Sequence, residues 1–72
     1  MNWHYYNVEK PAPGQRVVFI TQYQQAGKTV CEACRGIMHK DGIHKMVGGL
    51  IYSKGPCPDS DITCWADQEE FT

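Results

Sequence analysis

The fold of this chain is decided by the stretch Arg16–Thr21, which reads RVVFIT. An unbroken run of β-branched and aromatic side chains is typical of a buried β-strand. The segment Gln24–Gly27 follows it, and a short connection that contains glycine favours a β-hairpin. We therefore expect a second strand over Lys28–Arg35, paired with the first.

Two further strands are predicted along the chain. Lys40–Gly42 contains an Asp-Gly pair, which suits the positive φ angles of a tight hairpin turn. Ile43–Tyr52 then reads as the third strand, and its pair Gly48–Gly49 indicates a bulge or a close approach of two backbones. After a proline-containing loop, Asp61–Trp65 is expected to form a short fourth strand.

These elements define the fold class. No window of about 11 residues shows helical periodicity. The sequence therefore predicts an all-β fold, a small antiparallel curled sheet or barrel of three to four strands. Aromatic side chains bury the most area per residue, so we expect Trp3 and Trp65 to cover the ends of the sheet as core anchors.

Size and composition limit the function. The 72 residues make a single domain, 1–72, in which the acidic segment 66–72 is expected to fray. A net charge of −1 argues against a general binder of nucleic acid or anionic membranes. The sequence has neither a signal-peptide pattern nor an apolar run of about 20 residues, so we expect a cytoplasmic protein without a membrane partner.

The four cysteines allow two interpretations. Thiols are normally reduced in the cytoplasm, which favours free thiols or a metal site over disulfides. The C-x2-C spacing followed by Gly36 is typical of a zinc knuckle. One alternative is therefore a structural zinc site with four thiolate ligands, Cys31, Cys34, Cys57 and Cys64.

The other interpretation is that the cysteines are thiols in strands or loops. If residues 29–35 form a regular strand, Cys31 and Cys34 face opposite sides and cannot share one ion without a bulge. The x6 spacing between Cys57 and Cys64 is also longer than is usual in zinc sites. A redox CxxC pair needs a thiol of lowered pKa at a helix N-terminus, which this pattern lacks. We therefore expect no cofactor, with zinc as the alternative.

The sequence does not predict an enzyme. The segment His39–His44, which reads HKDGIH, could suggest acid–base chemistry. No nucleophile or carboxylate cluster accompanies it, so we interpret it as a polar hairpin turn.

Two groups of side chains are candidates for binding a partner. Tyrosines often dominate protein interfaces, and the candidates are Tyr5, Tyr6, Tyr23 and Tyr52. Basic residues concentrate in the middle of the chain, and Arg35, Lys40 and Lys45 are candidates for the same role. Together with Lys54 they make a modest basic patch that could contact nucleic acid.

Several residues give the chain a resemblance to a known family. Trp3, the strand entry Pro11–Phe19 and the terminal Asp61–Trp65 resemble the domain of unknown function 551, and Val30–Ala33 is similar to the family's central strand. The family consists of short proteins of phages and prophages. Three features differ from its pattern: Cys64 stands where members usually carry histidine, Ala66–Glu69 replaces a Met-Pro-Leu-Pro-like tail, and the set of four cysteines is not part of the family pattern.

The resemblance implies a strand over residues 30–34, which favours thiols over zinc. It also implies a phage or prophage accessory protein in the cytoplasm of a bacterial host, and it carries over no catalytic residues. We expect a non-enzymatic protein that binds a host or phage macromolecule, a bacterial or phage protein in preference to a nucleic acid, and that could inhibit a bacterial defence system. The alternative is a zinc-stabilised module that contacts nucleic acid. A sheet this small leaves its edges exposed, so a homodimer is a further expectation.

Overall fold

The computed structural model describes residues 2–51 and 55–71 and shows one antiparallel sheet. The strands are β1 (His4–Tyr5), β2 (Arg16–Gln25), β3 (Lys28–His39), β4 (Gly42–Val47), β5 (Leu50–Ile51) and β6 (Ile62–Asp67). Their order in the sheet is β1-β6-β2-β3-β4-β5. Two 3-10 helices, Asp59–Asp61 and Gln68–Phe71, flank β6. The all-β class is confirmed, and the four longest strands correspond to the four that the sequence predicts.

The β2–β3 hairpin is the centre of the sheet. Its ladder runs without interruption from Arg16 opposite Ile37 to Gln25 opposite Lys28. The turn is Ala26–Gly27, and both residues have positive φ, 52° and 77°, as the favoured two-residue hairpin turn requires. β2 also pairs with β6 on its other side, with a bulge between Ile20 and Thr21.

The hydrophobic core lies on one face of this sheet. Alternate residues of β2 and β3 point into it, and they are joined there by residues of β4, β6 and the segment after β1. The buried cluster consists of Tyr6, Val17, Phe19, Cys34, Met38, Ile43, Ile62 and Trp65. We call this side of the sheet the core face.

Two polar contacts fasten the segment after β1 to the core face. The indole Nε1 of Trp65 donates a 2.7 Å hydrogen bond to the backbone oxygen of Glu9. The Tyr6 hydroxyl donates to Asp59 Oδ1 at 3.0 Å, and Lys10 Nζ lies 3.8 Å from the centre of the Tyr6 ring. A buried tyrosine or tryptophan is stable when its polar atom has a partner, and both are satisfied here.

The prediction of one strand over residues 43–52 is wrong. Gly48 and Gly49 have φ angles of 60° and 83° and form the turn between β4 and β5. Two consecutive glycines at positive φ fit the favoured hairpin turn better than a bulge, so the chain reverses there. Tyr52 lies outside the described residues.

The two tryptophans have different roles. Trp65 is 4% exposed and is a core residue, as predicted. Trp3 is 41% exposed, and its ring contacts Phe71 edge to face at 5.9 Å instead of anchoring the core. Trp3 directly precedes His4, whose side chain lies on the core face opposite Trp65, so alternation along the chain places Trp3 on the other side of the sheet.

The C-terminal segment continues the last strand and ends in a 3-10 helix. Ala66 is fully buried and belongs to β6 together with Asp67, so the predicted frayed tail does not begin at residue 66. Residues 68–71 form the 3-10 helix, which contacts β2.

Within the described residues, no helix has the length and apolar character needed to span a bilayer.

Gly36 is a position where a side chain does not fit. A Cβ there would lie 2.6 Å from the backbone oxygen of His44 and 2.8 Å from atoms of Ile43 and Phe19. We expect Gly36→Ala to lower the free energy of unfolding by about 2–3 kcal/mol in urea titrations, because the neighbouring strand must shift. Ala33→Ser, at an exposed site on the same strand, should stay within about 0.5 kcal/mol of wild type. Equal stability of the two variants would contradict this packing.

Tyr6 gives a pH-dependent prediction. Burial and then the hydrogen bond to Asp59 raise the pKa of its hydroxyl from 10.0 to about 12. The folded state therefore holds this proton more tightly than the unfolded state. Its contribution to stability is complete below pH 10 and is lost as the pH rises towards 12. Ultraviolet titration of tyrosinate should show an ionisation near pH 12 in the wild type that is missing in Tyr6→Phe. If the titration curve of the wild type minus that of Tyr6→Phe has its midpoint near pH 10, the raised pKa does not belong to Tyr6.

Candidate interaction surface

The face of the sheet opposite the core carries a row of side chains that crosses four strands. Tyr5 of β1 pairs with Cys64 of β6, Cys64 pairs with Ile20 of β2, and Ile20 pairs with Ala33 of β3. Residues directly opposite each other in a ladder share one face, so these four side chains are neighbours. We call this side of the sheet the open face.

The row is exposed at its two ends and partly accessible between them. Tyr5 is 68% exposed and Ala33 is exposed, while Cys64 and Ile20 are half-buried. Gln22 and Cys31, the next pair along the β2–β3 hairpin, are also exposed on this face. The open face therefore presents an apolar strip with polar side chains at one border.

The carboxylates of the strands lie on one side of the sheet, whereas several basic side chains lie on the other. Arg16 of β2 pairs with Ile37 of β3, and Ile37 pairs with His44 of β4. Arg35 of β3 pairs with Val18 of β2. The three basic side chains Arg16, His44 and Arg35 therefore share the open face. The carboxylates carried by the described strands are on the core side, because Glu32 is opposite Thr21 and Asp67 is opposite Val17. The strands thus contribute cations and no carboxylate to the open face.

A histidine pair lies at the border of the open face. His44 Nε2 is 2.8 Å from Asp41 Oδ1, and this hydrogen bond lowers the pKa of the Asp41 carboxyl. The His39 and His44 rings meet edge to face at 4.6 Å, and with Lys40 they line an open depression of about 590 Å³. No serine or cysteine makes a hydrogen bond to either ring among residues 2–51 and 55–71. The segment is a hairpin turn between β3 and β4, as the sequence predicts.

The four candidate tyrosines do not form one face. Tyr5 is on the open face, whereas Tyr6 is 2% exposed and its assignment to a binding surface is wrong. The chain turns after β1 and directs the Tyr6 ring into the core, where its hydroxyl reaches Asp59. Tyr23 is half-buried on the core side, and its hydroxyl donates to Glu32 at 2.8 Å, which raises its pKa.

The predicted basic patch is also divided. Arg35 is on the open face, but Lys45 is opposite Gly36 and so on the core side. Lys40 is in the β3–β4 turn, and Lys54 lies outside the described residues. Arg16, Ile20 and Ala33, which sequence reasoning did not single out, instead join Arg35 and Tyr5. Alternate residues of a strand share one face, so the position of Ala33, two residues before Arg35, could have been predicted from the sequence.

The cysteines occupy three different environments. β3 is continuous through both members of the CxxC pair, so Cys31 is exposed on the open face and Cys34 is buried in the core. Cys57 packs against the core cluster and lines a cavity of about 190 Å³ that Cys34 and Lys45 also line. Cys64 is in the apolar row. The described residues contain no group of three or more His, Cys, Asp or Glu side chains placed to hold a metal ion.

Comparison with known proteins gives no relative. The chain matches no protein-family model, no curated protein and no solved structure. The resemblance to the domain of unknown function 551 stays a prediction from the sequence.

The thiol environments predict an order of reactivity. Burial raises the pKa of Cys57, with a smaller contribution from Cys34, and burial also raises the pKa of Cys64. Because the thiolate is the reactive form, iodoacetamide at pH 8 should label Cys31 first, Cys64 and Cys57 more slowly, and Cys34 only on unfolding. Peptide mass spectrometry measures each rate, and Cys31→Ser should remove the fast phase. Slow labelling of Cys31, restored by a zinc chelator, would instead indicate that it holds a metal.

Proposed function

We propose that this protein is a non-enzymatic binding protein whose open face docks on the surface of another protein. The observation that carries the proposal is the accessible row Tyr5–Cys64–Ile20–Ala33. Its apolar side chains lie side by side on a sheet held rigid by the β2–β3 ladder. Interfaces gain most of their energy from such central apolar and aromatic side chains, surrounded by a polar rim.

Charge indicates the chemistry of the partner. Arg16 and Arg35 border the row, and the strand carboxylates Glu32 and Asp67 are on the other side of the sheet. A partner with acidic groups around an apolar centre is complementary to this arrangement. The same arrangement disfavours a basic protein surface.

A nucleic acid is a poorer fit to the open face. Proteins that bind nucleic acids commonly neutralise about 6–10 phosphates, whereas the strands supply two arginines to this face. The net charge of the chain is −1.

The buried surroundings of Cys57 and Cys64 support a role without catalysis. A nucleophilic cysteine requires a lowered pKa, but burial raises the pKa of both half-buried thiols, Cys57 and Cys64. The His4 ring, 3.2 Å from Glu9 Oε1, is stacked on Trp65 at 4.5 Å. His4 pairs with Trp65, so its ring is on the core face, whereas the Cys64 thiol is on the open face. The ring and the thiol are therefore on different sides of the sheet.

The resemblance to phage and prophage proteins supports a more specific form of the proposal. A protein of that origin meets bacterial proteins, so we take a bacterial protein as the partner. If the bacterial partner belongs to a defence system, docking would inhibit that system by covering the partner's active or binding surface.

The proposal is tested by photo-crosslinking from the open face. A photoreactive amino acid at exposed Gln22 should give one saturable adduct in bacterial lysate, and mass spectrometry identifies the captured protein and its acidic contact segment. Ala33→Arg and Tyr5→Ser should each reduce the adduct by at least about ten-fold, because they disrupt the apolar row. Lys28→Glu, at the far end of the hairpin, is the matched control and should leave it unchanged.

Three outcomes would overturn the proposal. An adduct that survives Ala33→Arg would place the contact elsewhere. An adduct removed by nuclease would identify nucleic acid as the partner. An adduct of twice the chain mass would show that the open face pairs with a second copy.

A further inference from the structure

A small depression beside the open face brings two arginines together. It has a volume of about 220 Å³. Its lining consists of Arg16, Arg35, Met46, Gly48, Gly49 and Gln68. These residues come from β2, β3, β4, the β4–β5 turn and the C-terminal 3-10 helix, so the depression forms only in the folded chain.

The ladder register fixes the two arginines close to each other. Arg16 is opposite Ile37 and Arg35 is opposite Val18, so they are diagonal neighbours on adjacent strands and on the same face. Diagonal neighbours of this kind lie about 7–8 Å apart, which long side chains can span. Both guanidinium groups can therefore reach one ligand.

Neither arginine has an anionic partner in the described part of the chain. Both are exposed, and neither makes an ion pair or a side-chain hydrogen bond among residues 2–51 and 55–71. Arg16 also borders a neighbouring depression with Asp67 and Glu69. The Asp67 carboxylate there already accepts hydrogen bonds from Gln15 Nε2 and from the backbone N–H of Glu69, both at 2.9 Å.

This arrangement suits a doubly charged oxyanion. Two like charges placed side by side repel each other, and an anion between them removes the repulsion. Each guanidinium presents a planar fork of donors that matches phosphate oxygens. The side-chain amide of Gln68 is a further donor in the lining. The Gly48–Gly49 turn has no Cβ atoms, so its backbone can approach a ligand closely.

We propose that this depression is a binding site for the phosphoryl group of a phosphate monoester, held by Arg16 and Arg35 together. Two guanidinium charges match the dianion, and the volume holds the phosphoryl group with part of the molecule that carries it. The inference goes beyond the proposed function, since it concerns a small ligand at the border of the open face. Docking of an acidic protein on the apolar row does not depend on it.

The site is tested by ¹H–¹⁵N NMR titration of the full chain at pH 7.5 and constant ionic strength. Inorganic phosphate and adenosine monophosphate are the two probes, and sodium chloride is the reference salt. We expect saturable shifts of the Gly48 and Gly49 amides and of the arginine Nε–H signals. Tighter binding of the nucleotide would support an ester as the ligand, whereas equal binding of the two probes would identify free phosphate and overturn the assignment to an ester. Shifts that follow ionic strength without saturating would overturn the site.

Matched variants separate this site from general attraction of anions. Arg16→Gln and Arg35→Gln should each weaken phosphate binding by at least about ten-fold, whereas Lys28→Gln at the hairpin tip should not change it. Arg35→Lys keeps the charge and loses the fork, so it should bind several-fold more weakly. Wild-type affinity in Arg35→Lys, or equal losses in all three glutamine variants, would overturn the two-arginine geometry. Unchanged dispersion of the core signals confirms that each variant is folded.

Discussion

The uninterrupted ladder between β2 and β3 is the constraint on which the rest of this structure depends. It pairs ten residues of each strand from Arg16–Ile37 to Gln25–Lys28 and fixes the side of the sheet on which every side chain lies. A shift of one residue would exchange the two faces and expose Phe19 and Cys34. Gly36 supports the register locally, because its missing side chain lets Phe19 pack close to the backbone of β4. The register of the β2–β3 ladder therefore determines both which side chains form the core and which form the candidate surface.

The same alternation separates the roles of the two faces. The core face is closed by Tyr6, which the chain carries over the sheet after β1, and by Trp65, whose indole is fixed to Glu9. The open face keeps its apolar row accessible and gathers Arg16 and Arg35. An arrangement that leaves apolar side chains exposed and collects like charges costs stability, since neither feature helps the chain to fold. The acidic partner and the anion that we propose would offset this cost by binding to the open face and to the two arginines.

Sequence reasoning predicted what depends on neighbouring residues. The strand at Arg16–Thr21 and the hairpin connections predicted at Gln24–Gly27 and Lys40–Gly42 follow from local composition, and the structure has a chain reversal within each of these two segments. It failed where distant segments meet. The burial of Tyr6 depends on Asp59, which is 53 residues away, and no local pattern shows that contact. Of the candidate surface, Tyr5 and Arg35 were predicted individually, but their relation to Ile20 and Arg16 required the register of four strands.

The edges of the sheet explain why binding is expected at a face. A partner can add a strand to a sheet only where a long unpaired edge is available. The edge strands β1 and β5 each have two residues, and Cys57 donates a hydrogen bond from its backbone N–H to Ile43 of β4 at 2.8 Å. Short edges of this kind resist strand addition and aggregation. The open face, crossed by four strands and fixed by the ladder, is then the larger preorganised surface, and a rigid surface loses little entropy when a partner docks.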